Sequence, residues 1–192
     1  MSIFNENQKI KSYLTFKLGN ESFAANVAKV LNILEMMKVT KVPKAPVFMK
    51  GVINLRGTVL PLIDTRIKFD MGETQITQNT CILVLDIVQE NEKLQVGALV
   101  DAVLEVLEIE DEDILPPPSI GSKYKTEFIK GIAKSNEEFI MILDMDMIFS
   151  SDEIVKLMES TVDNKDDKEV KTSSSKTKSS NSKTTKKEKI NN

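Results

Sequence analysis

Apolar and polar positions alternate along most of this chain with a period of two. Leu14, Phe16 and Leu18 alternate with Tyr13, Thr15 and Lys17, the pattern of a half-buried strand. Gly19-Asn20 turns the chain, and Phe23 and Ala25 resume the alternation. Val27 to Met36 reads two ways: Val27, Val30, Leu31 and Leu34 have helical spacing, but a turn followed by a strand ending at Glu35 fits as well. Pro43 and Pro46 mark a loop. From Gly51 to Asp64 the chain reads G-V-I-N-L-R-G-T-V-L-P-L-I-D, two β-branched runs around a turn at Asn54 to Gly57. That predicts a tight hairpin with Arg56 at its tip.

Beyond it, Met71 to Asn79 is polar and contains Gly72, which suggests a boundary between subdomains. Thr80 to Val88 is short and almost wholly apolar, as a buried strand is. A turn at Gln89 to Glu92 leads into strands over Lys93 to Val100 and Ala102 to Ile109. Pro116-Pro117-Pro118 must be extended. Phe128 to Ala133 and Glu138 to Leu143 make a hairpin about a turn at Ser135-Asn136. Ser150 with Glu153 three residues on matches a capping box. It would open a last helix, Ser151 to Glu159, with Ile154, Val155, Leu157 and Met158 inward. Strands recurring every ~8 to 12 residues predict small barrels or sandwiches. The expected fold is mainly β, with two small antiparallel barrels divided near residues 71–79 and a short C-terminal helix. No internal repeat with a period of about 20 to 50 residues stands out.

Composition changes abruptly near Ser160. Residues 160–192 hold nine Lys against five Asp or Glu and only Val162, Val170 and Ile190 as hydrophobics. Such a segment buries too little apolar surface to offset its ordering entropy, so a disordered Lys/Ser/Thr/Asn-rich tail is expected, as is a flexible start over residues 1–11. The tail carries a net +4, leaving −7 on residues 1–159 of a chain whose total is −3. A basic tail suits nucleic acid or anionic lipid. Here the lysines are diluted by hydroxyl residues and no aromatic side chain lies among them, so no nucleic-acid partner is expected.

Histidine is absent, which removes the commonest general base and transition-metal ligand. Cys81 is the sole cysteine, so neither an intramolecular disulfide nor a cysteine-rich zinc site can form; within T-C-I-L-V-L it reads as a small buried hydrophobe. The glycines are scattered and none precedes Lys-Ser or Lys-Thr as a phosphate loop requires. The acidic stretch Glu108, Glu110, Asp111, Glu112 and Asp113 lacks the spacing of a calcium loop and reads as a solvated surface. Asp144 and Asp146 are placed to cap the last helix. No signal peptide opens the chain, and no run reaches the ~18 apolar residues of a membrane span. A cytoplasmic, non-enzymatic protein without cofactor or metal is expected. A carboxylate-dependent hydrolase would need two carboxylates facing each other across a cleft.

Arg56 stands out as a long planar cation on a hairpin tip without a nucleophile beside it, which suits an interface anchor. Glu35 supplies a natural opposite charge. The hairpin sequence resembles the signature of CheW-type chemotaxis coupling proteins. The resemblance extends to V-L-N-I-L-E (Val30 to Glu35), G-A-L-V-D-A-V-L-E-V (Gly97 to Val106), the proline loop near Pro116 and F-I-K-G-I (Phe128 to Ile132), and covers about residues 12–158.

The resemblance implies two SH3-like five-stranded barrels and no enzymatic activity. It implies an adaptor between the cytoplasmic tips of methyl-accepting chemoreceptors and the regulatory domain of a CheA-type histidine kinase, clustered at membrane-associated receptor arrays without inserting in the membrane. Kinase-facing positions of the family match Glu35, Gly51, Gly57 and Gly131. Receptor-facing positions match Ile33, Arg56, Thr80, Cys81, Gly97, Val103 and Val106. The loop after Glu35 is shorter by about three residues than in the familiar form, and the tail is an addition without a family role. A related coupling variant carries an attached receiver domain, which the short polar tail is unable to supply.

Overall fold

The computed structural model describes residues 10–89, 92–117, 128–135, 138–150, 152, 153, 156 and 157. The expected N-terminal extension (apart from Ile10 and Lys11), Pro118, Asn136 and the tail lie outside them.

Among the described residues ten strands form: β1 (Ile10–Leu18), β2 (Glu21–Asn26), β3 (Val30–Glu35), β4 (Met49–Leu55), β5 (Thr58–Asp64), β6 (Cys81–Gln89), β7 (Glu92–Val100), β8 (Ala102–Glu110), β9 (Ile129–Ser135) and β10 (Glu138–Leu143). Val27–Lys29 is a short 3-10 turn that leads straight into β3, so the turn-and-strand reading of this segment holds and the helical one does not. A four-residue helix, α1 (Thr65–Lys68), follows β5 and was not expected; the Asp64 carboxylate caps it by accepting from the Ile67 amide at 3.3 Å.

The strands make two five-stranded sheets of order β8-β1-β2-β10-β9 and β3-β6-β7-β5-β4. The first is built from both ends of the chain, and the second is the continuous segment 30–100 nested between them. The sheets therefore do not part near residues 71–79, which lie wholly inside the second unit. They part at Val27–Lys29 and again at Asp101, where the chain crosses over. Nor is either sheet antiparallel throughout: β2 pairs with β10, and β5 with β7, in parallel.

Each sheet curls on itself. Leu34 of β3 and Ile53 of β4, from opposite edges of the second sheet, join one cluster with Leu60, Leu62, Ile82, Val84 and Leu99. Beyond β3 the chain swings round and Thr40 bridges to Val52 of β4. The first sheet repeats the device: Leu115, beyond β8, bridges to Ile132 of β9, around a core that includes Tyr13, Ala24 and Ile140. Backbone hydrogen bonds thus cover edges that would otherwise invite aggregation.

Alternate residues face a third and larger core between the sheets. Leu14, Phe16 and Leu18 of β1 meet Leu83, Leu85 and Ile87 of β6 there. Phe69 of the second unit stacks on Phe128 of the first, with centroids 4.7 Å apart and planes within 3°.

The two units also echo one another in sequence. Phe48, Lys50, Gly51 and Asp64 recur at one constant spacing as Phe128, Lys130, Gly131 and Asp144. The Asp64 amide donates to the Phe48 carbonyl and the Asp144 amide to the Phe128 carbonyl, both at 2.8 Å.

At the C-terminal end, Asp152, Glu153, Lys156 and Leu157 are helical; Ser151, Ile154, Val155, Met158 and Glu159 lie outside the described residues. The Ser150 amide donates to Glu153 at 2.8 Å and the Glu153 amide to the Ser150 hydroxyl at 3.4 Å, a reciprocal capping box. Asp144 and Asp146 do not cap this helix. Asp144 caps the 3-10 turn Met145–Met147 by accepting from the Asp146 amide, while Asp146 turns to Lys29 and Val88.

Candidate functional site

The seam between the sheets opens along two edge strands, β3 and β8. Directly opposed residues of an antiparallel pair point to the same face. Ile33 opposes Leu83 and Glu35 opposes Cys81, so both share the inter-sheet face with that core. On the other lip, Val103 opposes Phe16 and Val106 opposes Leu14, which places them on the inter-sheet face as well. Ile33 and Val106 remain 47% and 54% exposed, while Val103 and Cys81 pack against the core beneath. The Cys81 thiol, on β6, faces the Val103 backbone of the β8 lip.

The exposed side chains of Ile33 and Val106 thus outline an apolar groove along the seam, as register and exposure imply. Register places Glu35, Glu108 and Glu110 on the same faces, as an acidic border. Both lips carry a bulge, near Leu31 and opposite Leu14/Phe16. At the second, the Thr15 hydroxyl replaces the interrupted ladder: it donates to the Glu105 carbonyl at 2.8 Å and accepts from the Glu105 amide at 3.1 Å.

The titratable groups here favour contact over chemistry. Burial pushes the Cys81 thiol up, with the Val103 backbone opposing, so the thiol stays protonated and unreactive at neutral pH. Partial desolvation raises the Glu110 carboxyl, reinforced by the neighbouring Glu112. The Asp111 carboxylate takes the Lys11 ammonium at 2.6 Å. Among the described residues no group of three or more His, Cys, Asp or Glu is arranged to hold a metal ion.

Arg56 is exposed on the β4–β5 hairpin, at the far edge of the second sheet from β3. Arg56 and Gly57 have φ of 52° and 91°, a two-residue loop with both residues left-handed, as a type I′ hairpin requires. The Asn54 side chain holds the turn by accepting from the Gly57 amide at 2.8 Å. A non-glycine residue in this region costs about 1–2 kcal/mol, so the fold tolerates strain to carry a cation at this tip.

Other positions singled out in the sequence lie inside. Thr80 is buried, its hydroxyl accepting from the Thr77 amide at 2.8 Å within its own loop. Gly97 is buried beneath the second sheet's own core, where a Cβ would come within 2.9 Å of Ile82 and 3.2 Å of Leu62. A Cβ at Gly51 would collide with the Thr40 carbonyl, and one at Gly131 would lie 2.7 Å from the Leu115 carbonyl. These two glycines admit the closing bridges of the two barrels. Gly57 alone of the four glycines is exposed.

The structure therefore gathers Ile33, Glu35, Cys81, Val103 and Val106 along one groove, sets Arg56 and Gly57 apart on a hairpin tip, and places Thr80, Gly51, Gly97 and Gly131 beneath the surface. Sequence reasoning missed Asp101, whose carboxylate meets the Gly19 amide and Arg66, and read Asp146 as a cap of the last helix, whereas its carboxylate meets Lys29 and the Val88 amide. The G-A-L-V-D-A-V-L-E-V run held the signal for Asp101: one polar residue between two strands.

The model of the CheW-like domain matches residues 12–153, most of the described chain. The chain belongs to the CheW-like domain family. It is 35% identical over 144 residues to the chemotaxis protein CheW of Klebsiella aerogenes, covering 75% of this chain and 84% of that one. Over 147 residues it is 34% identical to the probable chemotaxis protein CheW of Rhizobium etli, covering 77% and 92%. The crystal structure of the scaffolding protein TtCheW from Thermoanaerobacter tengcongensis has the same fold, with a TM-score of 0.67 and 29% identity over 80% of this chain and 96% of that one. The chain is thus a CheW-type scaffolding protein of chemotaxis, and the family is non-enzymatic. Among its described residues no helix is long and apolar enough to cross a membrane.

Proposed function

We propose that this CheW-type protein joins the cytoplasmic tips of methyl-accepting chemoreceptors to the regulatory domain of a CheA-type histidine kinase, at membrane-associated arrays in the cytoplasm. The observation that carries this reading is the open apolar groove with Ile33 on one lip and Val106 on the other. A receptor tip is a helical hairpin, and an apolar groove takes the apolar face of a helix. Arg56 adds a cation that pairs with carboxylate, and its turn is held rigid by Asn54.

The kinase regulatory domain engages Glu35 at the end of the β3 lip, Gly57 and the barrel edges that Gly51 and Gly131 shape. The scaffold does no chemistry. It biases the kinase because its contacts differ between receptor states.

Calorimetric titration of Val106→Glu against a soluble receptor fragment tests the groove. A buried, unpaired carboxylate should remove most of the affinity, while binding of the kinase regulatory domain stays near the parent's. Unchanged receptor affinity would refute the groove as the receptor site.

A further inference from the structure

Among the described residues the chain passes between the sheets at two places, and a carboxylate that ties one unit to the other stands at each. At the second crossing Asp101 is the single residue between β7 and β8. Its amide donates to the Lys17 carbonyl of β1 at 3.0 Å. Its carboxylate accepts from the Gly19 amide in the β1–β2 turn. The same carboxylate meets Arg66 of α1, in the second unit, at 3.6 Å. Arg66 is itself held, donating to the Met71 carbonyl at 3.1 Å.

At the first crossing Lys29 closes the turn between β2 and β3 and pairs with Asp146 at 2.6 Å. Asp146 follows β10 of the first sheet and accepts from the Val88 amide of β6, in the second, at 2.8 Å. Asp144 steadies it by accepting its amide at 3.1 Å.

The lips of the groove begin at these crossings. β3 starts at Val30, next to Lys29, and β8 starts at Ala102, next to Asp101. The apolar core between the sheets is non-directional and holds them together without fixing how they slide. The charge-assisted hydrogen bonds of Asp146 are directional and short and fix a register, and the Asp101–Arg66 ion pair at 3.6 Å adds an attraction between the units at the other crossing. We propose that Asp101 and Asp146 are positioning residues that set the spacing of the groove lips, and through it the affinity for a helical partner. This rests on the groove being the receptor site, but the spacing itself is measurable without any partner.

The experiment places spin labels on Leu31→Cys and Leu104→Cys, one on each lip and each 49% exposed in the parent, in a full-length Cys81→Ala background. Distances across the groove are read by pulsed electron resonance. With Asp101 and Asp146 intact the distribution should be narrow. Asp101→Asn combined with Asp146→Asn should broaden or shift it at temperatures well below melting. Arg66→Gln with Lys29→Gln cuts the same pairs from the other side; it should act alike and stands in should the aspartate variants fail to fold. Unlabelled variants should lose receptor-fragment affinity by roughly threefold to thirtyfold. An unchanged distribution in folded variants overturns the proposal. Should the distribution broaden while receptor affinity stays at the parent's value and Val106→Glu also binds normally, the carboxylates set the lips but the groove is not the receptor site.

Discussion

At the scale of single residues, the glycines divide by what surrounds them. Gly51 has φ of 148° and no room for a Cβ beneath the Thr40 carbonyl, whereas Gly57 has φ of 91° and nothing within 4 Å. Gly51→Ala should therefore cost about 3 kcal/mol or more, from strain and overpacking together. Gly57→Ala should cost about 1–2 kcal/mol, from the left-handed backbone alone. Chemical denaturation of the two variants checks this, and equal midpoints would contradict it. Sequence shows which residues are glycine but not why: Gly57 follows from the hairpin pattern, while the role of Gly51 depends on Thr40 returning across the sheet edge. The same limit explains Thr80 and Gly97. Both match receptor-facing positions by resemblance alone, yet their side-chain positions are closed off by contacts legible only after the strands pair.

Among the elements, an ion pair ties the C-terminal segment to α1. Lys68 of α1 reaches Glu153 at 2.6 Å and lies over the rings of Phe48 and Phe149, 4.6 and 5.1 Å from their centroids. Burial alone would raise the Glu153 carboxyl, but the Lys68 ammonium and the Ser150 amide outweigh it and hold the group below its ordinary value near 4.5. A carboxyl depressed in the folded state adds stability that is fully present above the unfolded pKa and is lost as pH falls through the folded one. Glu153→Gln should therefore be less stable than the parent at pH 7, with the gap closing below about pH 4. Denaturant titrations at pH 7 and pH 3 measure the two gaps, and a constant difference would contradict the assignment.

The capping box that opens this segment was legible because its two residues are three apart. The strand pattern was legible for the same reason: alternation is local. The helical spacing of Val27 to Leu34 left two readings open because a 3-10 turn and a bulged strand together space their apolar residues much as a helix does.

On the scale of the whole molecule, the nested topology escapes the sequence. A polar run with a glycine at residues 71–79 has the appearance of a boundary, but it merely carries the chain from α1 to β6 within one unit. The true crossings are three residues and one residue long, and a crossing that short leaves no stretch of altered composition. The echo of Phe48, Lys50, Gly51 and Asp64 in Phe128, Lys130, Gly131 and Asp144 is a long-range signal too sparse for a short-period search, and it reflects the matched closing hairpins.

Scaffolding requires that the two partners sit on the protein together. In the proposed arrangement the apolar lips at Ile33 and Val106 take the receptor tip, while Gly57 and the barrel edges shaped by Gly51 and Gly131 take the kinase domain, so both partners fit on the body together. Sedimentation velocity of the full-length chain mixed with a soluble receptor fragment and the kinase regulatory domain tests this most directly. A three-component species, larger than either pair and dependent on this chain, is the predicted result. Competition, in which the receptor fragment releases the kinase domain so that only pairs sediment, would contradict it.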